Sequence, residues 1–183
     1  MKALVVYESL YGNTRQIAEA VAEGLRRSVE TETVLVGDIR AASVEGFDLV
    51  VVGAPTHAWG LSRRRTRETA AVDVEKRAGH VTAAAVDVGV REWLQTVRVG
   101  PQCRSAAFDT RLDKPRLITG SAARPIERGL LAAGFATFGK PHSFKVSGST
   151  GPLVVGELER AHQWGEAMGR TLVQVVAAAK KAA

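Results

Sequence analysis

The stretch "VVYESLYGNTRQIAEAVAEGL", residues 5–25, decides the fold. A run of β-favouring apolar residues ends at Tyr7, a short polar loop follows, and the pattern then turns helical. Ile17, Val21 and Leu25 recur every four residues, with Ala18 and Gly24 beside them, which marks one apolar face of a helix. Asn13 is the expected N-cap, with Gln16 three residues on in capping-box position. The loop contains Ser9, Gly12, Asn13 and Thr14, and no basic side chain before Arg15. A loop closing on a helix N-terminus presents free backbone N–H groups and about half a positive charge from the helix dipole. Ser9 and Thr14 add hydroxyl donors, and Gly12 lets the backbone approach a ligand closely. The composition suits a phosphate cradle that needs no lysine. It is neither a Walker loop, since GxxxxGK[ST] is absent, nor a dinucleotide fingerprint, since no GxGxxG follows the strand.

Outward from this joint, the apolar runs are short, rich in valine and separated by helical stretches. "ALVVY" (3–7), "TVLV" (33–36), "LVVVG" (49–53) and "SAAF" (105–108) read as strands, and "FATF" and "SFKV" as strand pieces broken around Gly139 and Pro141. Continuous rather than alternating apolar character means burial on both faces, hence a parallel sheet covered by helices. Ser121 opens a helix through Ile126 and Leu130 that stops at Gly134. A last helix over about 156–179 carries Leu158, Ala161, Met168, Leu172, Val175 and Val176 on its apolar positions. The sum is one α/β domain over residues 1–183 with about five strands. Residues 63–102 form a long excursion between the third and fourth strands with one or two helices. Within it "VTAAAVDV" suits a strand and "REWLQTV" a helix.

Composition sets the limits. The chain has 183 residues, 45% hydrophobic and 24% charged, with a formal net charge of +6, as for an ordinary globule with a basic balance. No apolar run approaches the ~18 residues of a membrane span. The start "MKALVVYES" lacks the pattern of a secretory signal, so a cytoplasmic address is expected. Cys103 is the only cysteine and suits a buried, unreactive thiol. Aromatic residues are only 5% and do not interleave with the arginines, which argues against stacking on nucleic-acid bases.

In open α/β sheets, ligands sit beyond the carboxyl ends of the strands. That edge holds residues 8–14, 54–62 and 109–119. In the second loop, "GAPTHAWGLS", Trp59 follows a buried strand among turn residues, where its indole can stack on a flat ring. Such stacking is worth ~1–3 kcal/mol for a nucleobase, a guide for any fused heterocycle. A phosphate cradle and an aromatic platform on neighbouring strands point to a mononucleotide with a large planar base. His162 and Glu166, four apart on a helix, are a surface pair rather than a metal site. The turn "SGSTGPLVVGE" reads as a plain connector, with one wall of the site as the alternative.

"YESLYGNT" resembles the phosphate loop of the flavodoxins, and "GAPTHAWG" resembles the ring loop after their third strand. The resemblance implies a flavodoxin-like doubly wound five-stranded parallel sheet, order 2-1-3-4-5, with helices on both faces and FMN as cofactor. Carried over by position, Ser9, Leu10, Tyr11, Gly12, Asn13 and Thr14 would hold the phosphate. Pro55, Thr56, His57, Ala58, Trp59 and Gly60 would flank the isoalloxazine. Asp109, Thr110 and Arg111 would supply the third loop. The function implied is a low-potential electron carrier. The alternatives are an NAD(P)H-dependent FMN quinone oxidoreductase or a flavin-free interaction module.

Three features depart from the flavodoxin pattern: Tyr11 in the phosphate loop, the long segment 63–102, and the positive net charge where flavodoxins are acidic. Arg63, Arg64, Arg65 and Arg67 follow the ring loop directly and are expected to fringe the flavin edge. Such a rim would steer an acidic redox protein or an anionic substrate; nucleic acid is the competing reading of the same arginines, and no membrane partner is expected.

Overall fold

The computed structural model describes residues 1–39, 44–57, 59–78, 82–99 and 102–182. The elements in chain order are β1 (Lys2–Tyr7), α1 (Asn13–Arg26), β2 (Glu30–Leu35), β3 (Leu49–Pro55), α2 (Arg64–Ala78), α3 (Ala83–Asp87), α4 (Val90–Thr96), β4 (Arg104–Leu112), α5 (Arg116–Thr119), α6 (Ala123–Ala132), β5 (Ala136–Thr137), β6 (His142–Val146) and α7 (Glu157–Ala182). The strands form one parallel sheet in the order β2-β1-β3-β4-β5, with β6 also paired to β4.

The expected fifth strand is therefore two. β5 pairs with the start of β4 at Arg104 and Ser105, and β6 pairs with its end, from Phe108 to Leu112. Residues 138–141, including Gly139 and Pro141, interrupt the edge between them, because proline has no N–H to give a ladder.

The valine-rich strands are buried on both sides because successive side chains point to opposite faces. Leu4, Val6, Val50 and Val52 join one core with Trp93, Ile126 and Leu130 of α4 and α6. Ala3, Val5, Leu49 and Val51 join the other with Ile17, Val21 and Leu25 of α1 and Ala161, Met168 and Leu172 of α7. On that face α1 and α7 approach closely through glycines. A Cβ on Gly24 would lie 2.1 Å from the His162 carbonyl oxygen, and one on Gly165 would lie 2.2 Å from that of Val21.

Two local expectations are corrected. "VTAAAVDV" is not a strand where it is described: Ala83–Asp87 is the short helix α3. Three consecutive alanines have the highest helix propensity, and the place beside β3 is taken by β4. The N-cap of α1 is Gly12, at φ 85°, not Asn13. Asn13 is the first helical residue, and its amide Nδ2 donates to the Thr150 carbonyl (3.0 Å) in the turn before α7.

Candidate functional site

The register sets the carboxyl edge of the sheet. Tyr7 lies opposite Gly53, and Pro55 opposite Thr110, so the loops after β1 and β3 leave the sheet side by side. β4 runs two residues further, because β6 holds Arg111 opposite Lys145 and Leu112 opposite Val146. Asp109, Thr110 and Arg111 are thus strand residues, and the loop expected there starts only at Asp113.

A cleft of about 190 Å³ opens at this edge. Ser9, Leu10, Tyr11, Asn13 and Thr14 line it from the first loop, and Pro55, Thr56 and His57 from the second. Thr110, Arg111 and Leu112 line it from β4, and Val146 and Ser149 from β6 and the turn after it. Gly12 turns the backbone into α1, whose first N–H groups have no acceptor within the helix. No acidic side chain sits in that first turn to oppose an anion. The Thr14 hydroxyl is buried 2.7 Å from that of Thr110. The Tyr11 hydroxyl donates to Asp73 Oδ2 of α2 at 3.1 Å.

A second cavity of about 290 Å³ adjoins the first and shares Thr56, Arg111 and Leu112 with it. Its remaining lining is Trp59, Lys114, Ile118 and Thr119. Trp59 is 69% exposed and has a left-handed backbone, φ 67°. Its loop is held by paired backbone bonds between His57 and Gly60 and by a bridge to Gly120. Gly120 admits that contact because it has no side chain: a Cβ there would lie 2.3 Å from the Trp59 Cα. Ala58 lies outside the described residues.

Asp109 touches neither cavity. It is fully buried, and its Oδ2 accepts from the Thr56 hydroxyl (3.2 Å), the Ser121 hydroxyl (2.6 Å) and the Ala123 amide (2.9 Å). It ties the ring loop to the start of α6 and acts on the site only through that tie.

Among the described residues, three polar side-chain atoms of the cleft are buried without a hydrogen-bond partner: Ser9 Oγ, His57 Nε2 and Arg111 Nε. Buried polar groups are normally paired, so these await a ligand or water. Arg111 is otherwise anchored, with Nη1 donating to the Lys114 carbonyl (2.7 Å) and the Thr119 hydroxyl (3.1 Å). Burial pushes the His57 pKa down, Glu8 opposes that, and Arg67 adds to it. The imidazole is therefore neutral near pH 7 and can serve as acceptor or donor.

Arg67 does not fringe the site. It is fully buried, with Nε donating to the Val86 carbonyl (2.9 Å), Nη1 to the Ser62 hydroxyl (3.0 Å) and Nη2 paired with Glu92 Oε2 (3.1 Å). The buried Glu8 carboxylate, which accepts from the Val90 amide at 2.9 Å, belongs to the same cluster: a Cβ on Gly89 would touch both it and Arg67. Arg63, Arg64 and Arg65 are exposed, and Arg64 is paired with Glu68 and Asp87. Leu112, Ile118 and Thr119 fall within the expected edge 109–119 without having been assigned to the site, and Val146 lies outside it. Ser149 belongs to the Ser/Gly-rich turn, which proves to be a wall rather than a plain connector.

Cys103 is buried, and desolvation pushes its thiol up to about 11, which disfavours the thiolate at neutral pH. Glu166 pairs with Arg170. Among the described residues, no group of three His, Cys, Asp or Glu side chains is placed to hold a metal, and no helix is long and apolar enough to cross a membrane.

A family model described as a flavodoxin domain matches residues 4–78, which span β1 to α2. Solved structures extend the likeness to the whole fold. An oxidised flavodoxin from Bacillus cereus superposes with a TM-score of 0.65 at 17% identity, over 93% of this chain and 99% of that one. A flavodoxin from Streptococcus pneumoniae gives 0.63 at 16%, over 93% and 99%. A WrbA-like flavodoxin from Agrobacterium tumefaciens gives 0.60 at 18%, over 94% and 98%. The flavodoxin sequence pattern thus matches residues 4–78, and the fold along nearly the whole length is flavodoxin-like.

Proposed function

We propose that this protein binds FMN and acts as an electron carrier. The observation that carries the proposal is the pair of joined cavities, one rich in hydroxyl and backbone donors and the other walled by Trp59 and Ile118, with unpaired buried polar atoms at Ser9, His57 and Arg111. The residues fit the group. Ser9, Asn13 and Thr14 with the first turn of α1 would hold the phosphate, and Arg111 would lie between phosphate and ring. Trp59 would cover one ring face against Ile118. When bound, FMN supplies reversible one- and two-electron transfer, and the protein's part is binding, orientation and tuning. The chain's own residues do the rest: donors bind the anion, Asp109 fixes the ring loop, and the apolar walls exclude water.

The test is the visible spectrum of the purified protein after incubation with FMN. Flavin absorbance that co-elutes with the protein, with FMN released on denaturation, supports the proposal; a protein that retains no flavin at tens of micromolar FMN overturns it. Steady-state NAD(P)H oxidation with a quinone distinguishes a carrier, which shows no turnover, from an oxidoreductase.

A further inference from the structure

Beside the ring cavity lies a face that the fold leaves unpartnered. Leu117 is 96% exposed, Trp59 69% and Ile118 60%. Ile118 and Trp59 line one cavity, and α5 carries Leu117 between Ile118 and Arg116, which lines the neighbouring groove. Cations surround them. Lys114 and Arg116 precede Leu117 in the chain, while Arg116, Arg124, Arg128 and Lys140, with the single carboxylate Glu127 among them, line a shallow groove of about 690 Å³.

Among the described residues, these cations form no ion pair. On other helices the chain pairs arginine with glutamate four residues away, as in Arg15–Glu19, Arg64–Glu68 and Arg170–Glu166. On α6, Glu127 stands between Arg124 and Arg128 and pairs with neither. Lys114, Arg116 and Lys140 likewise have no ion pair among the described residues.

We infer that this face, Leu117 and Ile118 ringed by Lys114, Arg116, Arg124 and Arg128, is the docking surface for an acidic redox protein. The inference rests on the carrier proposal for the partner's being a redox protein. An apolar centre with a charged rim is the anatomy of a protein interface. With FMN seated between Trp59 and Ile118, Leu117 is the apolar side chain left outermost, and so small a patch suits the brief encounters of electron transfer, which bury the least area. Placement at the edge of the ring cavity puts the partner where electrons would leave. A small anion fits less well: the cations are exposed and unanchored, and the one buried hydroxyl in the groove, Ser121, is already spent on Asp109. The charges steer the encounter, and the leucine and isoleucine hold it.

The experiment measures binding of the full chain to an acidic [2Fe–2S] ferredoxin, with basic cytochrome c as control, at about 10 mM and 500 mM salt. Long-range steering is largely screened at the higher value, where the Debye length is only a few ångströms. Wild type is compared with Arg124→Glu/Arg128→Glu and with Leu117→Ser, changes at exposed side chains that leave the circular dichroism unaltered. The expected result is ferredoxin binding that weakens at least tenfold across the salt range and about as much in the double variant at low salt. Leu117→Ser should weaken it severalfold at both salts, and cytochrome c should not bind. Wild-type ferredoxin binding by either variant overturns the inference. So does absence of ferredoxin binding while the same arginines bind 2′,5′-ADP or duplex DNA. Because binding is read without electron transfer, a protein that docks ferredoxin but retains no flavin refutes the carrier proposal and not the docking surface.

Discussion

Thr14 Oγ1 and Thr110 Oγ1 lie 2.7 Å apart, buried where the first turn of α1 meets β4. In the proposed site, the Thr14 hydroxyl would therefore serve both the fold and the phosphate. Thr14→Val leaves the Thr110 hydroxyl buried without that partner, an effect of about 1–3 kcal/mol. For a chain of this size the melting temperature should fall by roughly 2–4 °C per kcal/mol, read by calorimetry without flavin.

Ser9→Ala separates the two roles. Its hydroxyl has no protein partner, so the free protein should keep its melting temperature. A hydrogen bond to a charged phosphate is worth about 1.5–3 kcal/mol, so FMN affinity should fall about ten- to a hundredfold. Riboflavin affinity should hold. Equal losses for both ligands in a fluorescence titration would refute the phosphate assignment.

Trp59 should show the opposite pattern. Loss of stacking worth ~1–3 kcal/mol in Trp59→Ala weakens FMN and riboflavin alike. Gly120→Ala should do the same without touching the ring, because its Cβ would displace Trp59. A Gly120→Ala protein with unchanged flavin affinity would show that the ring loop's position does not matter.

Arg67 is a buried cation in the cluster with Glu8 and Glu92. Removing one partner of a buried ion pair is typically destabilising by about 3–5 kcal/mol, and Arg67→Met should reach the lower end because the Glu92 side chain is 38% exposed. Arg67→Met with Glu8→Gln should recover part of that loss, since one buried negative charge goes with the positive one. Urea midpoints of the two variants test this.

Stability should fall in acid. Burial lowers the pKa of His57 and of His142, which stacks on Trp164 at 4.6 Å, below the ordinary 6.5. Between the folded values and about 6.5, the unfolded chain binds the protons and the folded one does not, so stability rises with pH across that window. It is complete above 6.5 and is lost as pH drops below it. His57→Gln should flatten the difference between urea midpoints at pH 5.5 and 7.5. An unchanged difference would mean that His57 titrates alike in both states.

The strand–loop–helix at residues 5–25 was legible because its signals are local: an apolar run, a polar loop and a four-residue period. Trp59 was legible for the same reason, since turn residues around it point outward. What failed depended on partners far along the chain. Asp109 and Arg111 looked like loop residues because nothing nearby shows that β6 prolongs β4 past Thr110. Arg67 looked like surface in an arginine run, yet Ser62, Val86 and Glu92 supply it with a polar interior. The alanines of α3 suited a strand until β4 filled the place beside β3.

The interrupted edge of the sheet has a consequence for solubility. An unpaired strand edge is a template on which another chain can add, and proteins disarm it with short strands, proline and charge. Here β5 offers two residues and β6 five, with Lys140 and Pro141 between them. The Lys145 carbonyl of β6 is already engaged by the Val154 amide, which folds back over it at 2.9 Å. At the opposite edge, β2 carries Glu30 and Glu32 on one face. The same break that splits the fifth strand thus guards a valine-rich sheet against growing into its neighbours at high concentration.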